Sequence, residues 1–232
     1  MKGLLKKILT IYPDYSTKNE FNNQSFTRFN ERAVEFSFVF RKISELYPKT
    51  ILDVGTGTTA LPHLMRNCGP LVTAVDNIKD YWPNGMTNRH YHVINDDITH
   101  TQLSGSFDMV TCVSVLEHIQ HFDAAVANML KLLNPYGHLI ITCPYTDDNY
   151  VKNVYDLEDS SYGKENSFVA QSYSRKNLTN WLKNGNAAVV EQEYWQFWEG
   201  KFWTCGNQII PPVKVSVHDR HQISCILIKR NS

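Results

Sequence analysis

Two glycines that follow a short apolar run mark the stretch most suited to chemistry, Leu-Asp-Val-Gly-Thr-Gly-Thr-Thr-Ala over residues 52–60. Only glycine lets the backbone turn this sharply and approach a ligand this closely, so Gly55 and Gly57 predict a ligand-binding turn. A second apolar run ends in Asp76, 21 positions after Gly55. A carboxylate at that strand end can accept hydrogen bonds from both hydroxyls of an adenosine ribose. The pattern therefore predicts a site for an adenosine-containing ligand.

The turn by itself fits two kinds of cofactor, because Gly55, Gly57 and Ala60 with Asp76 also satisfy the dinucleotide fingerprint. Asp53 favours a cofactor other than a dinucleotide. It lies two residues before the first glycine, where a pyrophosphate would not tolerate a further carboxylate but a cationic sulfonium with an amino-acid tail would. A nicotinamide-dependent oxidoreductase would also need a proton relay, and the sequence holds no Tyr-x-x-x-Lys.

Two later stretches complete the pattern. Asn-Asp-Asp-Ile over residues 95–98 follows a third apolar run and places a carboxylate where an adenine amino group could be recognised. The fourth run, residues 107–113, leads into Leu-Glu-His-Ile at 116–119. In order and spacing, residues 50–145 resemble class I S-adenosylmethionine-dependent methyltransferases, especially the branch with Leu-Glu-His after strand four. Residues 31–40 and the aromatic carboxyl-terminal segment look similar to sugar- and glycan-associated members.

The resemblance implies S-adenosyl-L-methionine as cofactor, S-adenosyl-L-homocysteine as product and a role for each matching residue. Asp53 would lie near the methionine amino group, and Asp76 would bind the ribose. The implied cofactor-binding set is Asp53, Gly55, Thr56, Gly57, Asp76, Asn77, Asp97, Ile98, Val113 and Ser114.

Methyl transfer to a hydroxyl needs a general base, and the candidates follow strands four and five. They are His118, His121 and Asp147, with Asp148 beside the last. The alternative for the Glu-His pair is a structural role in packing. A metal held by Glu117, His118 and His121 is conceivable. Because Ser114 stands where some relatives carry another carboxylate, we expect no metal.

The acceptor is expected against aromatic residues that come after the fifth strand, since ring faces beside polar tips suit sugars and planar rings. The candidates are Tyr145, Tyr150, Trp195, Trp198 and Trp203. The alternative is that these rings pack the outer strands or a dimer interface. Asp159 and Tyr162 belong to a loop that could act as a lid.

The elements that must position these residues follow from the apolar patterning. We predict helices over residues 25–46, 58–67, 123–133 and 174–182. We predict strands over 50–55, 71–76, 90–94, 107–113, 138–143, 187–193 and 222–229. Their alternation predicts an α/β fold, a Rossmann-like seven-stranded methyltransferase sheet, mostly parallel with an antiparallel last strand. One domain would span 1–232, with a leader and cap helix (1–48), a cofactor-binding core (49–145) and an acceptor side (146–232).

The composition of the chain argues against several classes of protein. Lys+Arg and Asp+Glu both total 23, so the basic footprint of a nucleic-acid partner is missing. Five unpatterned cysteines argue against a disulfide framework, and no apolar stretch is long enough to span a membrane. We therefore expect a cytoplasmic monomer or homodimer that methylates a small molecule, with O-methylation of a sugar or other hydroxylated metabolite favoured. The alternatives are N-methylation and an NAD(P)-dependent oxidoreductase.

Overall fold

The computed structural model describes residues 15, 17–26, 28–81 and 85–232. The chain divides into two compact units, residues 1–30 and residues 31–232. In the first unit residues 17–22 are helical, although the sequence predicted a leader there and no helix before residue 25. The leader prediction for residues 1–14 lies outside the described residues. The second unit carries the sheet.

The described part of the chain forms one sheet of eight strands: β1 (Thr50–Val54), β2 (Leu71–Asp76), β3 (Val93–Asn95), β4 (Phe107–Val113), β5 (Leu133–Pro144), β6 (Ala187–Trp198), β7 (Gln208–Val215) and β8 (Ile223–Arg230). Their order is β3-β2-β1-β4-β5-β8-β6-β7. The first five strands pair in parallel, and β8, β6 and β7 pair antiparallel with their neighbours. The predicted Rossmann-like class is confirmed, with eight strands in place of seven.

Helices cover both faces of the sheet, as the consecutive buried residues of β1 and β4 require. They are α1 (Arg32–Leu46), α2 (Leu61–Asn67), α3 (Ile78–Tyr81), α4 (Phe122–Lys131) and α5 (Arg175–Asn184). Buried residues of α4 and α5 pack on one face, and those of α1 and α2 pack on the other. Because β1 to β5 run in parallel, the residues that follow them meet at one edge of the sheet, where ligands bind in such folds.

Several boundaries differ from the sequence prediction, and one strand was missed. The helix predicted over 58–67 begins at Leu61, and the strand predicted over 138–143 extends over Leu133–Pro144. The helix predicted from residue 25 begins at Arg32, and β3 is Val93–Asn95, not 90–94. The strand β7 was missed because Pro211 and Pro212 interrupt its pattern. The structure accommodates them because β7 is an edge strand, where a missing backbone donor does not break a ladder.

A third apolar cluster lies outside the two main layers. It joins the loop after β5 to the far end of β6, and its buried members are Val154, Tyr155, Ala170, Phe197, Trp198, Trp203 and Ile223. Val34 of α1 packs against it. The loop that the sequence left without regular structure is therefore anchored by aromatic packing. Among the described residues, no helix has the length and apolar character needed to cross a membrane.

Candidate active site

The glycine turn leaves β1 and bends towards β2. Gly55 and Gly57 both have positive φ, +73° and +57°, a region that other residues rarely adopt. The backbone N–H of Gly55 donates to the Val75 carbonyl at 2.8 Å. A Cβ on Gly55 would come within 2.2 Å of the Val115 side chain, whereas one on Gly57 would meet nothing within 4 Å. Gly55 is thus required by packing as well as by backbone conformation.

Polar side chains after β2 and β3 are linked to this turn. Asp76 Oδ2 accepts from the backbone N–H of Gly57 at 2.7 Å. Asn77 Nδ2 lies 3.5 Å from Asp97 Oδ2, and Asp97 caps the short 3-10 turn that begins at Ile98. Ile98 is buried. The structure therefore brings five of the predicted cofactor-binding residues together at the carboxyl edge of the sheet.

Asp53 is buried at the end of β1. Its carboxylate accepts hydrogen bonds from the hydroxyls of Thr56 and Thr111, each at 2.7 Å. Burial raises the pKa of Asp53 to about 6, against the effect of the two hydroxyls. A nearby cation would favour the ionised form, so the position suits a positively charged ligand group. A small cleft beside it is lined by Arg32, Phe36, Gly55, Thr59 and Val113.

A buried carboxylate fastens α1 to this edge. Glu35 is fully buried, and its Oε1 accepts from Ser114 Oγ at 2.5 Å and Thr142 Oγ1 at 2.7 Å. Its Oε2 accepts from Arg32 Nη1 at 2.9 Å, and the same nitrogen donates to the Val113 carbonyl. The ends of β4 and β5 are therefore joined to α1 by one hydrogen-bonded ion pair. Ser114 takes part in it with a φ of +48°.

Glu117 and His118, the Glu-His pair after β4, do not form a close ion pair. Glu117 is buried, and its Oε2 has no hydrogen-bond partner among the described residues. Burial raises the pKa of Glu117 to about 8. His118 Nδ1 lies 2.7 Å from the Val169 carbonyl, while its Nε2 is 4.0 Å from Glu117 Oε1. Because a carbonyl only accepts, Nδ1 carries the proton and Nε2 keeps a lone pair.

A family model described as a methyltransferase domain matches residues 27–192. The chain belongs to this methyltransferase family. The match covers the strands β1 to β5, the glycine turn and the Glu-His pair, so the predicted class I S-adenosylmethionine-dependent methyltransferase is confirmed.

Curated relatives of this methyltransferase include enzymes named ubiquinone biosynthesis O-methyltransferase. The protein of Haemophilus ducreyi is 28% identical over 120 residues, which are 47% of this chain and 51% of that protein. The mitochondrial protein of Schizosaccharomyces pombe is 30% identical over 112 residues, 45% of this chain and 41% of that one. For Coxiella burnetii the identity is 25% over 170 residues, 68% and 71% of the two chains. The chain thus spans about half the length of the first two relatives.

Solved structures share the fold of this methyltransferase. An S-adenosylmethionine-dependent methyltransferase from Clostridium acetobutylicum has a TM-score of 0.56 at 14% identity, with 97% of this chain and 100% of that chain covered. The 1,6-didemethyltoxoflavin-N1-methyltransferase of Burkholderia thailandensis has a TM-score of 0.58 at 14% identity, with 98% and 90% covered. At these identities the likeness concerns the fold alone.

The other two candidate bases lie in different surroundings from His118. His121 is exposed and precedes the first turn of α4. Asp147 accepts from the Tyr145 hydroxyl at 2.9 Å and pairs with Arg175 at 2.8 Å. Arg175 also donates to Tyr194. Tyr145 and Asp147 therefore belong to a polar network that joins β5, α5 and β6.

The remaining aromatic candidates are divided between the same region and the third cluster. Tyr150 is partly exposed and donates to Gln171 at 2.6 Å. Trp195 donates to Glu193 at 3.1 Å. Trp198 and Trp203 are buried in the third cluster. Trp203 Nε1 donates to Glu31 at 2.7 Å, and Trp198 Nε1 has no partner among the described residues.

The predicted set did not include Arg32, Glu35 or Glu117 as site residues. A signal for Glu35 was present, because it precedes the buried Phe38 and Val39 by three and four positions and shares their helix face. Glu117 had been considered as a metal ligand or as part of a pair with a structural role in packing. Among the described residues, no group of three or more His, Cys, Asp or Glu is arranged to hold a metal ion.

Replacing Glu117 by Leu should make the protein more stable at pH 8. Its pKa in the folded chain is about 8, against an ordinary 4.5, so the unfolded chain binds fewer protons between these values. Stability therefore falls as pH rises through that range, and Glu117→Leu removes this loss, which is about 4 kcal/mol at pH 8. Urea unfolding at pH 5, 6, 7 and 8 measures it, with Glu158→Leu at an exposed position as control. Parallel pH curves for wild type and Glu117→Leu would contradict the burial effect.

Proposed function

We propose that this protein transfers a methyl group from S-adenosylmethionine to a small molecule, with O-methylation of a sugar or other hydroxylated metabolite favoured. The observation that carries the proposal is the turn at Gly55 and Gly57, hydrogen-bonded to Asp76 at the carboxyl edge of a parallel sheet. The relatives named O-methyltransferases support transfer to oxygen. A cytoplasmic location stays a prediction.

The residues present fit the cofactor. The turn leaves open space at Gly57, where a Cβ would meet nothing within 4 Å, and buried Asp53 favours a neighbouring cation. Asp53 would bind the amino group, Asp76 and Asn77 the ribose, and Asp97 with Ile98 the adenine, while Gly55, Thr56, Gly57, Val113 and Ser114 would border the ligand. The bound cofactor supplies an activated methyl group for in-line displacement.

The protein's own part in the reaction is to orient the acceptor, exclude water and receive a proton. His118 is the favoured candidate base for a hydroxyl acceptor. Burial lowers the pKa of His118, so the ring is neutral at pH 7, and the Val169 carbonyl fixes the tautomer that leaves Nε2 able to take a proton. His121 and Asp147 remain the alternatives.

Calorimetric titration with S-adenosylhomocysteine tests the cofactor assignment, with NAD and NADP as parallel controls. We expect S-adenosylhomocysteine to bind with a dissociation constant of about 1–100 μM and the nicotinamide cofactors not to bind. Binding of NAD or NADP alone would replace the proposal by the oxidoreductase alternative.

The type of atom methylated is then determined with methyl-labelled S-adenosylmethionine and mixed pools of phenols, sugars and amines. We expect label in an ether product. A labelled amine would retain the enzyme class and change the reaction to N-methylation.

A further inference from the structure

Arg32 and Asp53 place opposite charges on the same cleft. Both residues line the cleft beside the glycine turn, together with Gly55, Thr56 and Val113. Asp53 is buried, whereas the Arg32 side chain is partly exposed. A ligand that carries both an ammonium and a carboxylate group, as an α-amino acid does, would therefore find a partner of opposite charge for each group.

Glu35 holds the Arg32 guanidinium at this cleft. The carboxylate oxygen Oε2 of Glu35 accepts from Arg32 Nη1 at 2.9 Å, and the same nitrogen donates to the Val113 carbonyl at 3.1 Å. The other oxygen, Oε1, accepts from the hydroxyls of Ser114 and Thr142 at the carboxyl edge of β4 and β5. Because Glu35 is fully buried and bonded to both strands, the sheet fixes the place of its carboxylate and, through it, that of the guanidinium.

Such an ion pair serves binding better than it serves stability. A buried ion pair contributes little net stability compared with apolar side chains of similar size. An arginine side chain, however, loses much conformational freedom when it is fixed in one place. Since Glu35 already fixes Arg32 in the free protein, a ligand carboxylate that pairs with Arg32 does not have to order this side chain.

We propose that Glu35 is a positioning residue for cofactor binding, which holds Arg32 where the guanidinium pairs with the carboxylate of the cofactor's methionine tail while Asp53 pairs with its amino group. The inference rests on the proposed assignment of S-adenosylmethionine and adds the residues that recognise the amino-acid end of this ligand. Glu35 acts through Arg32, since an ionised carboxylate only accepts hydrogen bonds and cannot itself pair with another carboxylate.

Two ligands that differ by one group test this on the full chain. S-adenosylhomocysteine carries the carboxylate, whereas S-adenosyl-3-thiopropylamine, its decarboxylated analogue, lacks the carboxylate and keeps the amine. We expect the wild type to bind S-adenosylhomocysteine at least about tenfold more tightly than the analogue in calorimetric titrations, because charge-assisted hydrogen bonds are the stronger kind. Arg32→Met and Glu35→Met should each reduce this preference to about threefold or less.

The ratio of the two affinities separates positioning from a structural effect, which would weaken both ligands equally. Because Glu35 acts through Arg32, adding Glu35→Met to Arg32→Met should not change the preference further. Glu35→Gln keeps the shape of the side chain and one acceptor for the guanidinium but removes the charge. Its preference should therefore lie between those of Glu35→Met and the wild type.

Glu45→Met is the matched control, since Glu45 is an exposed residue of the same helix that pairs with Arg41 at 3.8 Å. It should keep the wild-type preference. The inference is overturned if the wild type does not distinguish the two ligands, if a folded Glu35→Met protein keeps the preference, or if Glu35→Met still changes it in the Arg32→Met background. Should Glu35→Met not fold, an unchanged preference in Glu35→Gln overturns the inference in its place. A wild type that binds neither ligand would instead overturn the proposed cofactor, so the two failures are distinguishable.

Discussion

Asp76→Ala should weaken binding of S-adenosylhomocysteine by more than about tenfold, because the ribose would lose a charged partner for its hydroxyls. In the structure Asp76 accepts from the backbone N–H of Gly57, so the carboxylate is held at the edge of the glycine turn. Calorimetry on the purified variant gives the change in dissociation constant, and circular dichroism confirms that the fold is kept.

Two controls separate ribose binding from a general effect on the turn. Asp108→Ala removes a carboxylate at the opposite end of the sheet, where it accepts from Lys49 and Thr50. It should lower the melting temperature and leave ligand affinity unchanged. The 2′-deoxy form of S-adenosylhomocysteine should bind wild type more weakly than S-adenosylhomocysteine does. The two ligands should bind Asp76→Ala with equal affinity. Unchanged affinity in a folded Asp76→Ala protein would refute the assignment of this residue to the ribose.

Gly55→Ala should lower the free energy of unfolding by about 3 kcal/mol or more, because it combines backbone strain with a steric clash. The φ of +73° is unfavourable for alanine, and the new Cβ would lie 2.2 Å from Val115 Cγ1. Urea unfolding measures the change.

Gly57→Ala is the matched comparison, since its φ is +57° and a Cβ there meets nothing within 4 Å. It should cost about 1 kcal/mol, the strain alone. Shortening the clashing side chain should restore part of the difference, so Gly55→Ala should be less costly in a Val115→Ala background than in wild type. If Gly55→Ala and Gly57→Ala lower the free energy of unfolding equally, the contact with Val115 does not contribute to the cost of a side chain at Gly55.

Local patterns in the sequence determined the first strands of the sheet and the glycine turn. Strands β2 and β4 were predicted at their observed bounds, and the turn at Gly55 follows β1 as expected. These features depend only on residues that are close in sequence. An apolar run of this length forms one buried strand, and glycine readily adopts the positive φ that the turn requires. Because parallel strands end at one edge, strand order alone predicted that Asp53 and Asp76 lie near each other.

The packing of α1 and of the carboxyl-terminal segments was decided by tertiary structure. Thr142 and Glu35, 107 positions apart, form one hydrogen bond, and Trp203 and Glu31 are 172 positions apart. Such contacts depend on how α1 and the carboxyl-terminal strands pack on the finished sheet, which no local pattern encodes. The state of Glu117 also depends on distant segments. Its burial raises its pKa, and none of the described residues donates a hydrogen bond to its Oε2. Sequence identified the residue types of the candidate site, and packing determined which of them are buried and which are paired.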